Sequence, residues 1–322
     1  MPLMRVVYMG SPDFSVPGLQ ELHTQLATEI DIVGVASNPD KRRGRGTKTS
    51  PTPVKAKALE LGIPTFDVDK TSDPAFHQWL NALKPDLLVV TAFRILPKEV
   101  LAIPSVGSIN IHASLLPKFR GAAPIHHAVM QGEKKTGLSS FFLTQKMDAG
   151  KLILQERIAI DQNETTGEVY NRLMHLSGSF LIKTLSKILH DELQLIDQDE
   201  NVASPAPKLF AEHCVIDWTK SPAQIHNQIR GLSPFPGAYS IAKDGSRYNF
   251  IRSSVATTEV LESENFPTLN TGEVAKVAGE MLIKCGNQDD SKSVLVIKEL
   301  KPEGKRAMSG LDVINGKADL VF

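Results

Sequence analysis

The chain has 322 residues, of which 36 are basic and 36 acidic; 41% are hydrophobic and 22% charged. Such a composition is that of an ordinary globular protein and excludes disorder, collagen and coiled coil as the main architecture. Zero net charge also argues against a protein that binds nucleic acid over its whole surface. A chain of this length is more typical of two domains than of one.

The cysteine count and the amino-terminal segment bear on where the protein works. Cys214 and Cys285 are the only cysteines, too few for a disulfide framework. The first residues lack the cationic region and long apolar run of a secretion signal, and no apolar stretch approaches the ~18 residues of a membrane helix. We therefore expect a cytoplasmic protein that does not enter a membrane.

The first half of the chain alternates short β-branched runs with helical patterns. A strand at 5–10, a helix near 16–27, a strand at 30–37 and a helix near 54–61 form this alternation, which predicts an α/β domain with a largely parallel sheet. The remaining predicted elements of this half are a helix near 74–83, strands at 86–93, 108–114, 138–144 and 152–160, and a long amphipathic helix at 169–190.

The second half of the chain differs from the first in composition and in its pattern of predicted elements. Polar residues and prolines are concentrated at 198–208, which is typical of a linker. Beyond a short helix near 223–231, brief strands separated by Gly, Asn, Asp and Lys predict a small all-β barrel. The predicted organisation is a first domain at 1–197, a linker at 198–208 and a second domain at 209–322.

A basic segment spans residues 41–57, where seven Lys or Arg occur without an acidic residue and are interrupted by glycines and prolines. This pattern predicts a basic loop, although a run of charge is more often only a solvated surface. The glycines at 44 and 46 with Lys48 do not have the spacing of a phosphate-binding loop, and Met9–Phe14 lacks the glycines of a dinucleotide fingerprint. ATP hydrolysis and a nicotinamide cofactor are therefore disfavoured.

Asn110 and His112 are the most informative pair of polar residues. Being two apart in a predicted strand, they point to the same side near its carboxyl end, where open α/β sheets bind ligands. An imidazole that titrates near neutrality and an amide that donates to a developing oxyanion suit acyl transfer. The alternative is an ordinary polar pair in a sheet.

Two further polar positions have structural alternatives. Asp148 lies in a predicted turn, where a carboxylate could orient an imidazole, but Asp-Ala-Gly by itself is simply a turn. His126 and His127 are adjacent and lack companions at zinc spacing, so we interpret them as surface or packing residues.

Residues 110–124 (NIHASLLPKFRGAAP) and 147–150 (MDAG) resemble the signature of the 10-formyltetrahydrofolate-dependent formyltransferases. The resemblance extends along nearly the whole chain, through the segments at 10–14, 50–55, 95–97, 206–209 and 216–218 and the basic segment from Pro39. The chain departs from the family pattern at Thr91–Arg94 and Lys146–Met147, which bears on the detail of the folate pocket.

The resemblance implies a Rossmann-like domain followed by an OB-like β-barrel. It also implies transfer of the formyl group of 10-formyltetrahydrofolate to the α-amine of methionyl-tRNA, for translation initiation. In this reaction Asn110 would bind the oxyanion, His112 would stabilise the oxyanion and transfer protons, and Asp148 would tune His112 and organise a water.

The resemblance also assigns substrate contacts. The folate would lie against Ser114, Leu115, Leu116 and Pro117, although the two leucine side chains could equally be ordinary core. The acceptor end of initiator methionyl-tRNA would meet Arg42, Arg43, Arg45 and Lys48, and the barrel could supply a second RNA surface. No metal and no protein partner are expected.

Other functions are compatible with parts of this pattern. A related formyltransferase could act on a nucleotide-linked amino sugar or on a purine precursor with the same polar trio. A catalytically silent RNA-binding protein on the same scaffold is the alternative from another class. The basic segment and the carboxyl-terminal half favour the tRNA substrate.

Overall fold

The computed structural model describes residues 2–42, 49–263, 266–286, 290, 292–317 and 319–322, without the side chains of residues 41 and 42. The chain divides into two compact units. The first consists of Met1–Pro124, Thr136–Ile158 and Tyr170–Ala206, and the second of Ile125–Lys135, Ala159–Val169 and Pro207–Phe322. Among the described residues, every helix is too short or too polar to cross a bilayer.

The strands of the first 160 residues belong mainly to one sheet. They are β1 (Met4–Gly10), β2 (Ile30–Ser37), β3 (Lys41–Arg42), β4 (Thr49–Ser50), β5 (Thr65–Asp67), β6 (Leu87–Thr91), β7 (Gly107–His112), β8 (Lys135–Phe142) and β9 (Leu152–Ala159). The sheet has the order β5-β2-β1-β6-β7-β8-β9, and β3 pairs with β4. The pairs from β5 to β7 are parallel, whereas β7 and β8 are antiparallel. The predicted, largely parallel α/β sheet is confirmed.

Helices alternate with these strands and begin at recognisable signals. They are α1 (Val16–Gln25), α2 (Pro53–Glu60), α3 (Pro74–Leu83), α4 (Lys98–Leu101), α5 (Pro124–Met130) and α6 (Thr166–Leu189). Thr52 and Asp73 cap α2 and α3 by accepting backbone N–H bonds, each directly before a proline, as helix starts favour. On α3, Phe76 and Leu80 are fully buried and pack against the sheet residues of the same apolar cluster.

The second unit is built mainly from antiparallel strands. Its elements are α7 (Pro222–Leu232), β10 (Ala238–Ile241), β11 (Arg247–Val255), α8 (Thr258–Leu261), β12 (Val274–Val277), β13 (Glu280–Lys284), β14 (Val294–Pro302), β15 (Met308–Ser309) and α9 (Gly310–Gly316). The strand order is β10-β11-β14-β13-β12, with β15 on β14. Trp218, Ile225 and Phe250 belong to its core. The arrangement agrees with the predicted small, barrel-like carboxyl-terminal domain.

The segment from residue 198 to 206, which the sequence predicts to begin a linker, is hydrogen-bonded to the first unit. Arg120 donates its backbone N–H to Ser204 (2.9 Å) and accepts one from Ala206 (2.6 Å). A parallel bridge therefore joins this segment to the chain that follows β7. The domain boundaries 1–197, 198–208 and 209–322 stay a prediction about folding units.

Candidate active site

His112 is the last residue of β7 and is 6% exposed. Its Nε2 lies 2.8 Å from the carbonyl oxygen of Phe119. Because a carbonyl can only accept, Nε2 must carry a hydrogen, and in the neutral ring Nδ1 is then the nitrogen with the lone pair. The backbone at Phe119 therefore fixes the tautomer, and Nδ1 is the atom available for proton transfer.

Asp148 faces that available nitrogen from the loop between β8 and β9. Its carboxylate oxygen Oδ2 lies 3.8 Å from Nδ1 of His112 and accepts a 2.8 Å hydrogen bond from the backbone N–H of Gly121. The Asp148 side chain is 13% exposed. A protonated imidazole would thus have an acceptor at each nitrogen, the Phe119 carbonyl at Nε2 and the carboxylate at Nδ1. The structure brings His112 and Asp148 together, and their catalytic roles stay a prediction.

Two glycines permit this close approach. A β-carbon at Gly121, whose φ is +126°, would lie 2.6 Å from the carbonyl oxygen of Ala206. At Gly150 a β-carbon would overlap the carbonyl oxygen of Phe142. Glycine is needed at both positions because backbone passes where a side chain would be, which gives a structural reason for the Arg-Gly and Asp-Ala-Gly sequences.

Asn110 lies two residues before His112, on the same side of β7, since side chains in a strand alternate between faces. It pairs with Val90 on β6 and Phe141 on β8, so it occupies an interior strand. Its side chain is half-buried and makes no hydrogen bond within the part of the chain that the structure describes. The amide is therefore available to a ligand.

The Ser114–Pro117 loop follows His112, and two residues that sequence reasoning missed hold it in place by hydrogen bonds. Ser139 donates its hydroxyl hydrogen to the Ser114 carbonyl (2.6 Å) and accepts from the Leu116 N–H (3.0 Å). Gln155 donates to the Leu116 carbonyl (2.8 Å) and to Ser139 Oγ (2.8 Å). These bonds leave no sequence signal, because each joins a polar side chain to a group that is distant along the chain.

The individual residues of this loop differ in exposure. Leu116 is 3% exposed and packs with Phe141 and Leu152 in a small apolar cluster. Leu115 is half-buried, and Ser114 is fully buried with its hydroxyl donating to the Lys118 carbonyl (2.7 Å). The Leu116 side chain is therefore core, and its backbone N–H and carbonyl are bonded to Ser139 and Gln155.

The basic segment is only partly described. Arg43, Arg45 and Lys48 lie outside the described residues, and of Arg42 only the backbone, in β3, is described. Lys55 is ion-paired with Asp40 (2.7 Å) and Asp67 (2.9 Å). Burial opposes the charge of Lys55, but these two carboxylates outweigh it and raise the pKa of its ammonium. Lys55 therefore has a structural role in these two ion pairs.

Both departures from the family pattern make defined contacts. Arg94 donates from Nε to the Asn38 side-chain oxygen (2.7 Å), and Lys146 is paired with Glu200 (2.8 Å). The two adjacent histidines have structural contacts of their own. His126 and His127 each have Nε2 within hydrogen-bond distance of a backbone carbonyl oxygen, those of Phe235 and Pro207. Within the described residues, no cluster of three or more His, Cys, Asp or Glu could hold a metal ion.

Comparison with known proteins matches both halves of the chain to one family. Residues 4–185 match the family described as formyl transferase, and residues 208–318 match the formyl transferase C-terminal domain. The methionyl-tRNA formyltransferase of Moorella thermoacetica is 39% identical over 97% of this chain and 96% of its own. That of Bacillus subtilis is 36% identical over 98% of this chain and 95% of its own.

A solved structure shows the same fold. It is that of WlaRD, a sugar 3N-formyl transferase in the presence of dTDP and 5-N-formyl-THF. The TM-score is 0.67 at 17% identity, with 95% of this chain and 100% of that chain covered. At this identity the likeness concerns the fold alone. From the two family matches and the nearly full-length relatives, the chain belongs to the formyl transferase family.

Proposed function

We propose that the protein transfers the formyl group of 10-formyltetrahydrofolate to the α-amine of methionyl-tRNA, with Asn110, His112 and Asp148 carrying the reaction. The two nearly full-length relatives, both named methionyl-tRNA formyltransferases, support this substrate. The presence of 5-N-formyl-THF in the WlaRD structure, which has the same fold, supports a folate as the donor. Initiator tRNA is the acceptor that formylation for translation initiation requires.

The reaction consists of three linked events. The amine nitrogen attacks the formyl carbon, the carbonyl oxygen gains negative charge, and nitrogen N10 of the folate leaves with the electron pair of the broken C–N bond. A proton must therefore move from the attacking amine to N10, and the oxyanion needs hydrogen-bond donors. The half-buried amide of Asn110, which is unpartnered within the described part of the chain, is the donor that we assign to the oxyanion.

His112 is suited to move the proton. Its Nε2–H is held by the Phe119 carbonyl, so Nδ1 can accept the proton that the amine loses and later release it towards N10, directly or through a water. While the ring carries the proton, the carboxylate of Asp148 at 3.8 Å offsets the new positive charge. The imidazolium N–H would in turn strengthen the field that stabilises the oxyanion.

Substrate contacts follow the same division of the chain. Ser114, Leu115, Leu116 and Pro117 are proposed to form the folate-binding loop, with the Leu116 side chain anchoring this loop in the core. Arg42, Arg43, Arg45 and Lys48 are proposed to meet tRNA phosphates. We assign 1–197 to catalysis and folate binding, 198–208 to the linker and 209–322 to a tRNA-contacting domain, acting in the cytoplasm, where charged tRNA is found.

The observation that carries the mechanism is the single free ring nitrogen of His112 facing the Asp148 carboxylate. The decisive experiment incubates purified protein with 10-formyltetrahydrofolate and charged initiator tRNA and measures formylmethionyl-tRNA, with His112→Ala as the inactive control. We expect product from the wild type only. Formylation of a nucleotide-linked amino sugar in place of methionyl-tRNA, or tRNA binding without any formyl transfer, would contradict the proposal.

A further inference from the structure

We propose that Gln198 is a positioning residue that holds the loop 146–150, which carries Asp148, in place against His112. Residue 198 opens the segment that the sequence predicts to be a linker, so this part of the chain would contribute to the active site instead of merely connecting domains. The inference rests on the proposed function, because it assigns Gln198 a role in the reaction that His112 and Asp148 catalyse.

The side chain of Gln198 uses all of its hydrogen-bonding capacity. Its Nε2 donates to the carbonyl oxygens of Asp148 (2.9 Å) and Gly150 (2.8 Å). Its Oε1 accepts from Nη2 (2.8 Å) and Nε (3.2 Å) of Arg120. Carbonyls cannot donate and a guanidinium cannot accept, so the orientation of the amide is unambiguous. One half-buried side chain thus joins the loop to Arg120.

The loop needs such support because its backbone is strained at the functional residue. Asp148 has a φ of +49°, in the left-handed region that residues other than glycine adopt much less readily and keep where the surroundings impose it. Gln198 binds the carbonyl of Asp148 itself and that of Gly150, on either side of Ala149. It therefore restrains the loop at the point where the carboxylate is aimed at Nδ1.

The other end of Gln198 is bonded to Arg120, which has several further contacts. Arg120 is also paired with the two carboxylate oxygens of Glu200 at 3.0 and 3.1 Å, and its backbone is bonded to Ser204 and Ala206. The next residue, Gly121, donates the hydrogen bond to the carboxylate of Asp148. Asp148 is thus held twice by the same strip of chain, by its carboxylate through Gly121 and by its carbonyl through Gln198 and Arg120.

A competing explanation is that Gln198 only anchors its own segment, through Arg120. The substitution Gln198→Glu separates the two because the side chains have nearly the same shape. A glutamate retains an acceptor for Arg120, with an added charge that strengthens the contact. It replaces the amide NH₂ by an oxygen that faces two carbonyl oxygens. Positioning therefore requires a loss of activity, whereas anchoring alone requires none.

The experiment measures kcat and both KM values of the full-length Gln198→Glu and Gln198→Met enzymes. We expect kcat to fall about 10- to 100-fold in both variants, since a displacement of about 1 Å can cost on the order of 10²-fold, with little change in KM. The matched control is Asn201→Ala in the same segment, because its exposed side chain bonds only Asp199 among the described residues; this variant should keep the wild-type rate. A Gln198→Glu enzyme with normal kcat would overturn the inference.

A double-mutant cycle adds a readout that general destabilisation would not move. If Gln198 acts through Asp148, adding Gln198→Glu to Asp148→Ala should cost no further activity in single-turnover assays. A multiplicative loss would refute this coupling. In addition, the ¹⁵N resonances of the His112 ring should shift in Gln198→Glu and Gln198→Met without any substrate, and unchanged resonances would count against the inference. This measurement tests Gln198 even if the wild type formylates no tRNA, an outcome that would instead refute the proposed function.

Discussion

The backbone N–H of Gly121 donates a 2.8 Å hydrogen bond to the same carboxylate oxygen of Asp148 that faces Nδ1 of His112. The carboxylate is therefore fixed by main chain and does not depend on the imidazole for its position. Because the bond from Gly121 involves no atom of the imidazole, the carboxylate is in place before the ring gains a proton. Preorganised charge of this kind needs no rearrangement during the reaction.

The charge of Asp148 can be removed with little change in shape. Asp148→Asn keeps an oxygen that can accept from Gly121 but has no charge to offset an imidazolium. We expect kcat to fall by about 10² to 10⁴, the range that general acid–base catalysis contributes, with a normal thermal transition. Asp69→Asn, at an exposed position of the same unit, is the matched control. Equal rates for the two variants would exclude an electrostatic role of Asp148.

Asn110 offers a second test of the catalytic assignment. Asn110→Ala should lower kcat by about 10²- to 10³-fold, the cost of removing one oxyanion donor. The fold should be unaffected because the amide makes no hydrogen bond in the described part of the chain. Steady-state assays and a thermal melt check both parts. Asn81→Ala, on the exposed face of α3, should leave the rate unchanged, and a near-normal rate for Asn110→Ala would refute the oxyanion assignment.

Gly150 should tolerate no side chain. A β-carbon there would overlap the Phe142 carbonyl oxygen, so Gly150→Ala must displace the loop that carries Asp148 and should reduce both kcat and the melting temperature. Gly316→Ala is the matched control, because a β-carbon at that position meets nothing within 4 Å among the described residues. A fully active and stable Gly150→Ala enzyme would contradict the prediction, because it would mean that the loop can accommodate a β-carbon at residue 150.

The four residues of the basic segment that are proposed to meet phosphates should determine the salt dependence of tRNA binding. Replacing Arg42, Arg43, Arg45 and Lys48 together by Ala should weaken binding and flatten the plot of log K against log salt. The slope should change by close to one unit for each phosphate that is no longer neutralised. Lys57→Ala is the control, since Lys57 is paired with Glu60 and should not change the slope. A quadruple variant with the wild-type slope would exclude these phosphate interactions.

The Glu168–Arg252 ion pair predicts a pH dependence of stability. The hydrogen bond from Arg252 is the main cause that lowers the pKa of Glu168 from 4.5 to about 2. Glu168 also forms a capping box with Thr165 at the start of α6, which favours the charged form further. A carboxyl with a lower pKa in the folded state than in the unfolded chain stabilises the fold above pH ~4.5 and loses this effect as the pH falls towards 2.

Glu168→Gln should therefore be less stable than the wild type at pH 7, by about 0.5 to 1 kcal/mol after solvent screening, since both side chains are 44–45% exposed. Chemical denaturation at several pH values measures the difference, which should shrink between pH 4.5 and 2. The control is Glu303→Gln, at an exposed position of the same unit. A difference for Glu168→Gln that does not depend on pH would contradict the ionic origin of the effect.

The hydrophobic periodicity of the sequence, and the glycines, prolines and polar residues between the periodic segments, predicted most of the architecture. The alternation of strands and helices up to residue 190 indicated the largely parallel sheet, and the change in texture beyond 208 indicated the antiparallel unit. Strand β5 was missed because its three residues are too few to show a period. The family resemblance pointed to Asn110, His112 and Asp148, and the two-residue spacing placed the first two on one face of β7.

Some relationships could not be derived from a linear pattern. The sequence alone determined most of the longer helices and strands, and that an amide and an imidazole share one strand face, because these properties depend on near neighbours. Only the tertiary structure decided that the Phe119 carbonyl selects the tautomer of His112, that Ser139 and Gln155 support the loop after it, and that Gln198 binds the Asp148 loop. Each of these relationships is a hydrogen bond that joins groups distant along the chain or that involves a backbone carbonyl or N–H group. Such bonds depend on where the folded backbone places the two groups and not on the order of the residues.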